Sequence, residues 1–294
     1  MKRILLVVAG MVGVTAVGLF ATGAIAAEGA LHPAREKIAL VCPCMANETC
    51  EDAEVTSTDG VRLRAWFYTP KEPTRGTIIV LHGIGGSRNE MVHISSMFLK
   101  NGYATLIPDN RGHGTSEGLV TYGLGEEADV HAWASWLMEQ KHVGKLYGFG
   151  ASLGASVLLE SLNQENRFRA VVAESAYSDF VAIGRERMAR QAPTWLNWTA
   201  PLVVNSGLVW TRWRYGADLG RASALEAVRR TRTPVLLIHG RDDEKTSPEN
   251  SVRLAEANRA VTQLWIVSGS HHADAWSTTG AEFEQRVLQF YGAH

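Results

Sequence analysis

Three stretches of the chain carry residues that together could activate a nucleophile. Ser152 sits in "GASLG", which fits the G-x-S-x-G pattern of a serine lifted on a tight strand-to-helix turn, with Gly150 and Gly154 placed where side chains would strike the neighbouring helix and strand. A serine hydroxyl is a weak nucleophile until a base takes its proton, and a histidine held by a carboxylate is the usual partner. "IHGRDDEKTSP" offers Asp242 and Asp243, and "VSGSHHADAW" offers His271 and His272, so serine, acid and histidine follow one another along the chain. The Gly-rich "LHGIGGS" supplies backbone amides for a developing oxyanion, which we assign to Ile84 and to Leu153, the residue after the serine.

The elements that must position these groups are legible as short apolar runs, "TIIVLHG", "ATLIPD", "KLYGFGAS", "AVVAES", "PVLLIHG" and "QLWIVSG", separated by helical stretches at about 89–100, 126–140, 153–163, 248–258 and 281–291. Near-continuous β-branched runs alternating with helices predict an α/β protein, a mostly parallel sheet covered on both faces. Ahead of them, "AEVTSTDGVRLRAWFYTP" alternates around Asp59-Gly60 and predicts a β-hairpin. The spacing lengthens once, between "AVVAES" and "PVLLIHG", which predicts a small helical cap inserted at about 176–232. Every chemically suggestive residue follows a strand, where open α/β sheets place their ligands.

Taken in order, "LHGIGGS", "DNRGHGTSEG", "GASLG", "IHGRDDEKTSP" and "GSHHADAW" resemble the α/β-hydrolase superfamily, over about residues 54–294. The resemblance implies an α/β-hydrolase fold and places the acid on Asp243, at the D of an HGxxD pattern, and the base on His272. The position before the base, often glycine in the family, is here His271. "LHPAR" after an apolar N-terminus is similar to exported or anchored bacterial members of the serine aminopeptidase and acyl-esterase branch.

The chain has 294 residues and a formal net charge of -1, which provides no long-range attraction for nucleic acid or other polyanions. Lys2 and Arg3 precede an apolar stretch from Ile4 to Ala27 that is uncharged until Glu28. Residues 1–27 therefore read as a signal peptide, with an A-x-A site at 24–26, or as a transmembrane anchor through residues 4–27. Either places the body outside the cytoplasm, in the cell envelope or secreted. Residues 28–52 read as a linker or arm holding Cys42, Cys44 and Cys50, where Cys50 could pair with either of the others. The hydrolase domain is expected over 53–294. Asn47 and Asn197 head glycosylation sequons, which matter only in a eukaryotic secretory pathway.

Several conspicuous residues read more simply as structural. His82 is expected to order the oxyanion loop, the Asp109, Arg111 and His113 turn to brace the floor, Asp242 to cap a turn, and Asp274 to orient the histidine loop or stand in solvent. Trp195 and Trp198, like Trp210 and Trp213, lie three apart and so share a helical face, packed on the domain, lining an acyl pocket or touching a membrane. No metal or cofactor is implied. The expected activity is hydrolysis of esters or related acyl bonds in a small-molecule or lipid-like substrate. An aminopeptidase or amidase would add a cap carboxylate for the substrate amine, Asp179, Glu186 or Asp218 being candidates. A silent binding protein on the same fold is the alternative outside enzymes.

Overall fold

The computed structural model describes residues 2–36, 42, 48–71 and 74–294. Eight strands, β1 (Glu48–Thr56), β2 (Arg62–Pro70), β3 (Thr77–Leu81), β4 (Ala104–Pro108), β5 (Leu146–Ala151), β6 (Phe168–Glu174), β7 (Val235–Gly240) and β8 (Thr262–Val267), form one sheet in the order β1-β2-β4-β3-β5-β6-β7-β8. The first three pair antiparallel and the rest parallel. β3, β4, β5 and β7 are buried along their whole length, which explains their lack of alternation.

The hairpin forms at Asp59-Gly60 as expected, but β1 begins at Glu48 rather than near residue 53, its first residues pairing with Tyr68, Thr69 and Pro70. It is an edge strand rich in acidic side chains, a composition that reads as loop in sequence yet protects an open edge. β8 closes the other edge and is part-exposed, with Gln263 and Leu264 facing solvent.

Helices α2 (Val92–Lys100), α3 (Glu126–Gln140), α4 (Leu153–Ser161), α8 (Glu249–Ala257), α9 (Ala275–Thr279) and α10 (Ala281–Gly292) alternate with the strands, α1 (Lys2–Leu31) preceding them all. Two apolar clusters fill the two faces of the sheet, one around Leu81, Trp133 and Leu158, the other around Trp66, Phe98, Phe149 and Tyr291. Between β6 and β7 lie α5 (Phe180–Gln191), α6 (Ala200–Tyr215) and α7 (Ala224–Arg230), with 3₁₀ turns at Thr194–Thr199 and Leu219–Arg221.

α1 is long and apolar enough to cross a membrane, its best window being Gly13–Leu31. It continues past Ala27 to Leu31, and Leu31 is buried in the sheet's first cluster. Cys42 and Cys50 form a disulfide. Cys44 and Asn47 lie outside the described residues.

Candidate active site

The carboxyl ends of β3, β5, β6, β7 and β8 converge on a cavity of about 370 Å³ lined by Gly83, Ile84, Ser152 and His272. Ser152 occupies the turn between β5 and α4 at φ 54° and ψ −115°, a left-handed backbone that a residue with a Cβ adopts only under constraint. The constraint is supplied from both sides. A Cβ on Gly150 would come within 2.5 Å of the Gly154 carbonyl oxygen in α4, and one on Gly154 within 2.7 Å of the His82 carbonyl oxygen. The turn is therefore clamped between helix and neighbouring strand. Gly83 in turn faces Ser152, its added Cβ lying 3.4 Å from the serine Cβ.

The histidine and acid reach this serine from loops after β8 and β7. His272 Nε2 accepts from Ser152 Oγ at 2.8 Å, and its Nδ1–H donates to Asp243 Oδ2 at 2.8 Å. Asp243 Oδ1 accepts from the amides of Lys245 and Thr246, each at 2.9 Å. Burial would raise the Asp243 carboxyl, but hydrogen bonds from His239, His272 and the Thr246 amide outweigh it and hold the carboxyl well below the usual carboxylate range. The acid is thus kept as an anion facing the imidazole.

Of the paired candidates, the structure brings Asp243 and His272 together with Ser152 and turns the other two away. His271 is exposed, and its Nδ1 bonds the Asp242 carbonyl at 3.0 Å, while Asp242 is itself exposed. The other structural expectations also find their partners. His82 Nδ1–H donates to the Gly83 carbonyl at 2.7 Å and its Nε2 accepts from the Asn110 amide at 3.0 Å. Burial, reinforced by His113, lowers its pKa to about 3, so the ring is neutral. His113 Nε2 accepts from the Gly85 amide at 3.0 Å, and Asp109 accepts from the amides of Arg88 and Thr115 at 2.9 Å. The two histidines pin the loop on either side of Ile84. Leu153 opens α4, where the first amides have no partner within the helix, and Ile84 lines the cavity beside Ser152.

Sequence reasoning passed over four further residues. His239, on β7, donates from Nε2 to the Thr246 carbonyl at 3.0 Å and reaches Asp243 Oδ2 at 3.2 Å, with Ser251 Oγ 2.6 Å from Nδ1. It shares Asp243 Oδ2 with His272 and so supports the acid beside the base. Glu174, the last residue of β6, lines the cavity and accepts from the Ala275 amide at 2.9 Å; burial pushes its carboxyl up to about 7. Both lie in strands already visible as apolar runs, so the rule that sites gather at strand ends could have found them. Arg187 and Lys245 bring positive charge to the cavity wall.

The cap carboxylates fare differently. Asp179 caps α5 by accepting from the Ala182 amide at 2.7 Å, Glu186 accepts from the Ser247 amide at 2.9 Å, and Asp218 lies 3.7 Å from Arg212. None of the three lines the cavity. Asp274 precedes α9 and accepts from Thr278. Among the described residues no group of three or more His, Cys, Asp or Glu is placed to hold a metal ion.

Comparison with known proteins agrees with this architecture. A family model for the alpha/beta hydrolase fold matches residues 76–208. The chain is 26% identical over 242 residues to the uncharacterized protein YqkD of Bacillus subtilis, covering 80% of this chain and 77% of the relative. It is 28% identical over 275 residues to the alpha/beta hydrolase domain-containing protein WAV2 of Arabidopsis thaliana, covering 88% and 83%. Among solved structures, the Pyrococcus furiosus esterase Pf2001 superposes with a TM-score of 0.69 at 24% identity, over 88% of this chain and 98% of its own. Est1E from Butyrivibrio proteoclasticus, solved with ferulic acid bound, gives a TM-score of 0.61 at 19% identity, over 82% and 100%.

Proposed function

We propose that this chain, which has the α/β-hydrolase fold, is a serine hydrolase that cleaves carboxylic esters or related acyl bonds through an acyl-enzyme. The observation that carries the proposal is the unbroken hydrogen-bond line from Ser152 Oγ through His272 to Asp243, 2.8 Å at each link. Ser152 attacks the substrate carbonyl while His272 Nε2 takes its proton. Asp243 holds the imidazole in the Nδ1–H tautomer and stabilises the imidazolium that forms. The amides of Ile84 and Leu153 hold the tetrahedral oxyanion. His272 then returns the proton to the leaving alcohol, and a water activated by the same histidine releases the acid.

Ester chemistry is favoured over aminopeptidase chemistry because the cap carboxylates Asp179, Glu186 and Asp218 are engaged away from the cavity. The carboxyls of Glu90 and Glu174, which do line it, are raised by burial, which disfavours their charged form. A binding protein without activity would have no use for the strained backbone at Ser152. An exported location is supported by the apolar α1 following Lys2 and Arg3 and by the Cys42–Cys50 disulfide, a bond typical of oxidising compartments.

The test is hydrolysis of short- and long-chain p-nitrophenyl esters by the full chain in detergent, beside Ser152→Ala. Loss of turnover by about a thousandfold or more is expected on that change. Equal turnover by both proteins would refute Ser152 as nucleophile, and the chain-length profile would size the pocket.

A further inference from the structure

We propose that α1 is a retained anchor fused to the cap, and that the exposed tryptophan face of the cap rests on the headgroup–acyl boundary of the bilayer that α1 spans. The inference uses only the exported location proposed above and is independent of the reaction.

Length sets the register. α1 has 30 residues, and at about 1.5 Å per residue is about 45 Å long. A hydrocarbon core of about 30 Å takes about 20 residues. The apolar stretch Gly13–Leu31 cannot lie wholly in lipid, because Gly23 is packed on α6 and Leu31 is buried in the domain core. A span counted instead from Ile4, after Lys2 and Arg3, ends near Gly23, and the last turns of α1 stand above the hydrocarbon. Those turns are the ones that dock. A Cβ on Gly23 would lie 2.5 Å from the Val203 carbonyl oxygen and 2.8 Å from the Gly207 amide nitrogen, so α1 and α6 touch backbone to backbone. Small residues permit such approach between membrane helices. Glu28, the first charge after Arg3, accepts from Trp210 Nε1 at 2.6 Å and from the Tyr215 hydroxyl at 2.7 Å. The polar part of the seam thus begins where the hydrocarbon ends.

Direction follows from the same pairs. Gly23 meets Val203 and Gly207, and Glu28 meets Trp210 and Tyr215, so α1 and α6 run side by side in the same sense. The start of α6 and the 3₁₀ turn before it therefore point toward the bilayer. Trp195 is 73% exposed there and Trp198 66%, whereas Trp213, also 73% exposed, stands about 20 Å further along α6 on the side away from the hydrocarbon. Trp210, packed against Trp213, meets Phe20 of α1 edge-on at 6.4 Å, which makes the patch continuous with the spanning helix. Tryptophan favours this depth because its ring is apolar and its N–H still reaches water. Arg212 stands beside them, its side chain 75% exposed, where headgroup phosphates would lie. Cleavage after Ala26 would remove Phe20 and Gly23 and uncover the apolar face of α6, which argues against a removed signal.

The test is tryptophan fluorescence of the full-length chain in phosphatidylcholine vesicles whose acyl chains carry bromine near the headgroup or near the chain end. The wild type is expected to be quenched more by the shallow bromines. Trp195→Phe/Trp198→Phe, which keeps the apolar contact, should stay in the membrane with its fractional quenching reduced, whereas Trp213→Phe should leave it unchanged. The mass of the membrane-bound chain should include residues 1–26. Equal fractional quenching in the wild type and the double variant, no quenching in a wild type that pairs with a second copy, or a chain shortened to Ala27 would each overturn the proposal. Neither readout involves turnover, so a failure of the hydrolase proposal leaves this result standing, and the reverse.

Discussion

His272 Nε2 lies 2.8 Å from Ser152 Oγ although 120 residues separate the two in sequence. The loop that carries the histidine crosses directly over Gly240, where an added Cβ would lie 2.7 Å from the Ser270 carbonyl carbon. β7 and β8 pair from Val235 to Gly240, so the acid loop and the histidine loop leave adjacent strand ends together. The alignment is a property of the sheet, and the distance from β5 to β8 fixes the rest.

Asp243 should matter for rate far more than for binding. Asp243→Asn removes the charge and favours the wrong histidine tautomer, so kcat for a p-nitrophenyl ester is expected to fall by about 10³–10⁴ with KM little changed. In Ser152→Ala/Asp243→Asn the losses should not multiply, since the two residues act as a unit.

His239 positions the acid, and its loss should leave the substrate site intact. His239→Ala frees Asp243 Oδ2 from one partner at 3.2 Å. We expect kcat to drop by about ten- to a hundredfold with KM unchanged and the fold retained by circular dichroism. An unchanged kcat would reduce His239 to packing.

Glu174 should give the fold a pH dependence opposite to that of an ordinary carboxylate. Burial raises its carboxyl from 4.5 to about 7, so between those pH values the folded chain holds a proton that the unfolded chain has released. Stability from this group is full below pH 4.5, falls as pH rises to about 7, and is level above. The loss is on the order of 3 kcal/mol. Urea unfolding at pH 5 and pH 8 should show this difference between wild type and Glu174→Gln, the variant being the less pH-sensitive.

The elbow glycines should be intolerant where a glycine in open space is not. Gly154→Ala forces a Cβ to within 2.7 Å of the His82 carbonyl oxygen and should cost about 3 kcal/mol or more, measured as a lower urea midpoint. Gly144→Ala, where a Cβ meets nothing within 4 Å, should change stability by about 0.5 kcal/mol or less.

The sequence by itself determined the order of strands and helices, because buried parallel strands need unbroken β-branched runs and the intervening helices show a different period. It also determined where the serine turn must fall, since Gly150 and Gly154 flank Ser152 for steric reasons that are local. It could not choose between His271 and His272, or Asp242 and Asp243, without the family resemblance. Neighbours in a chain face different ways, and only the packing of the β7 and β8 loops shows which side chain turns inward. The same limit hid His239 and Glu174, whose chemistry comes from burial against partners distant in sequence. Only the first residues of edge strand β1, 48–52, were read as linker, for a related reason: their charged side chains show no strand pattern until β2 supplies a partner. The apolar N-terminal segment was plain from composition, but its close seat on α6 depends on Gly23 meeting Gly207, a contact across more than half the chain that only the tertiary fold brings together.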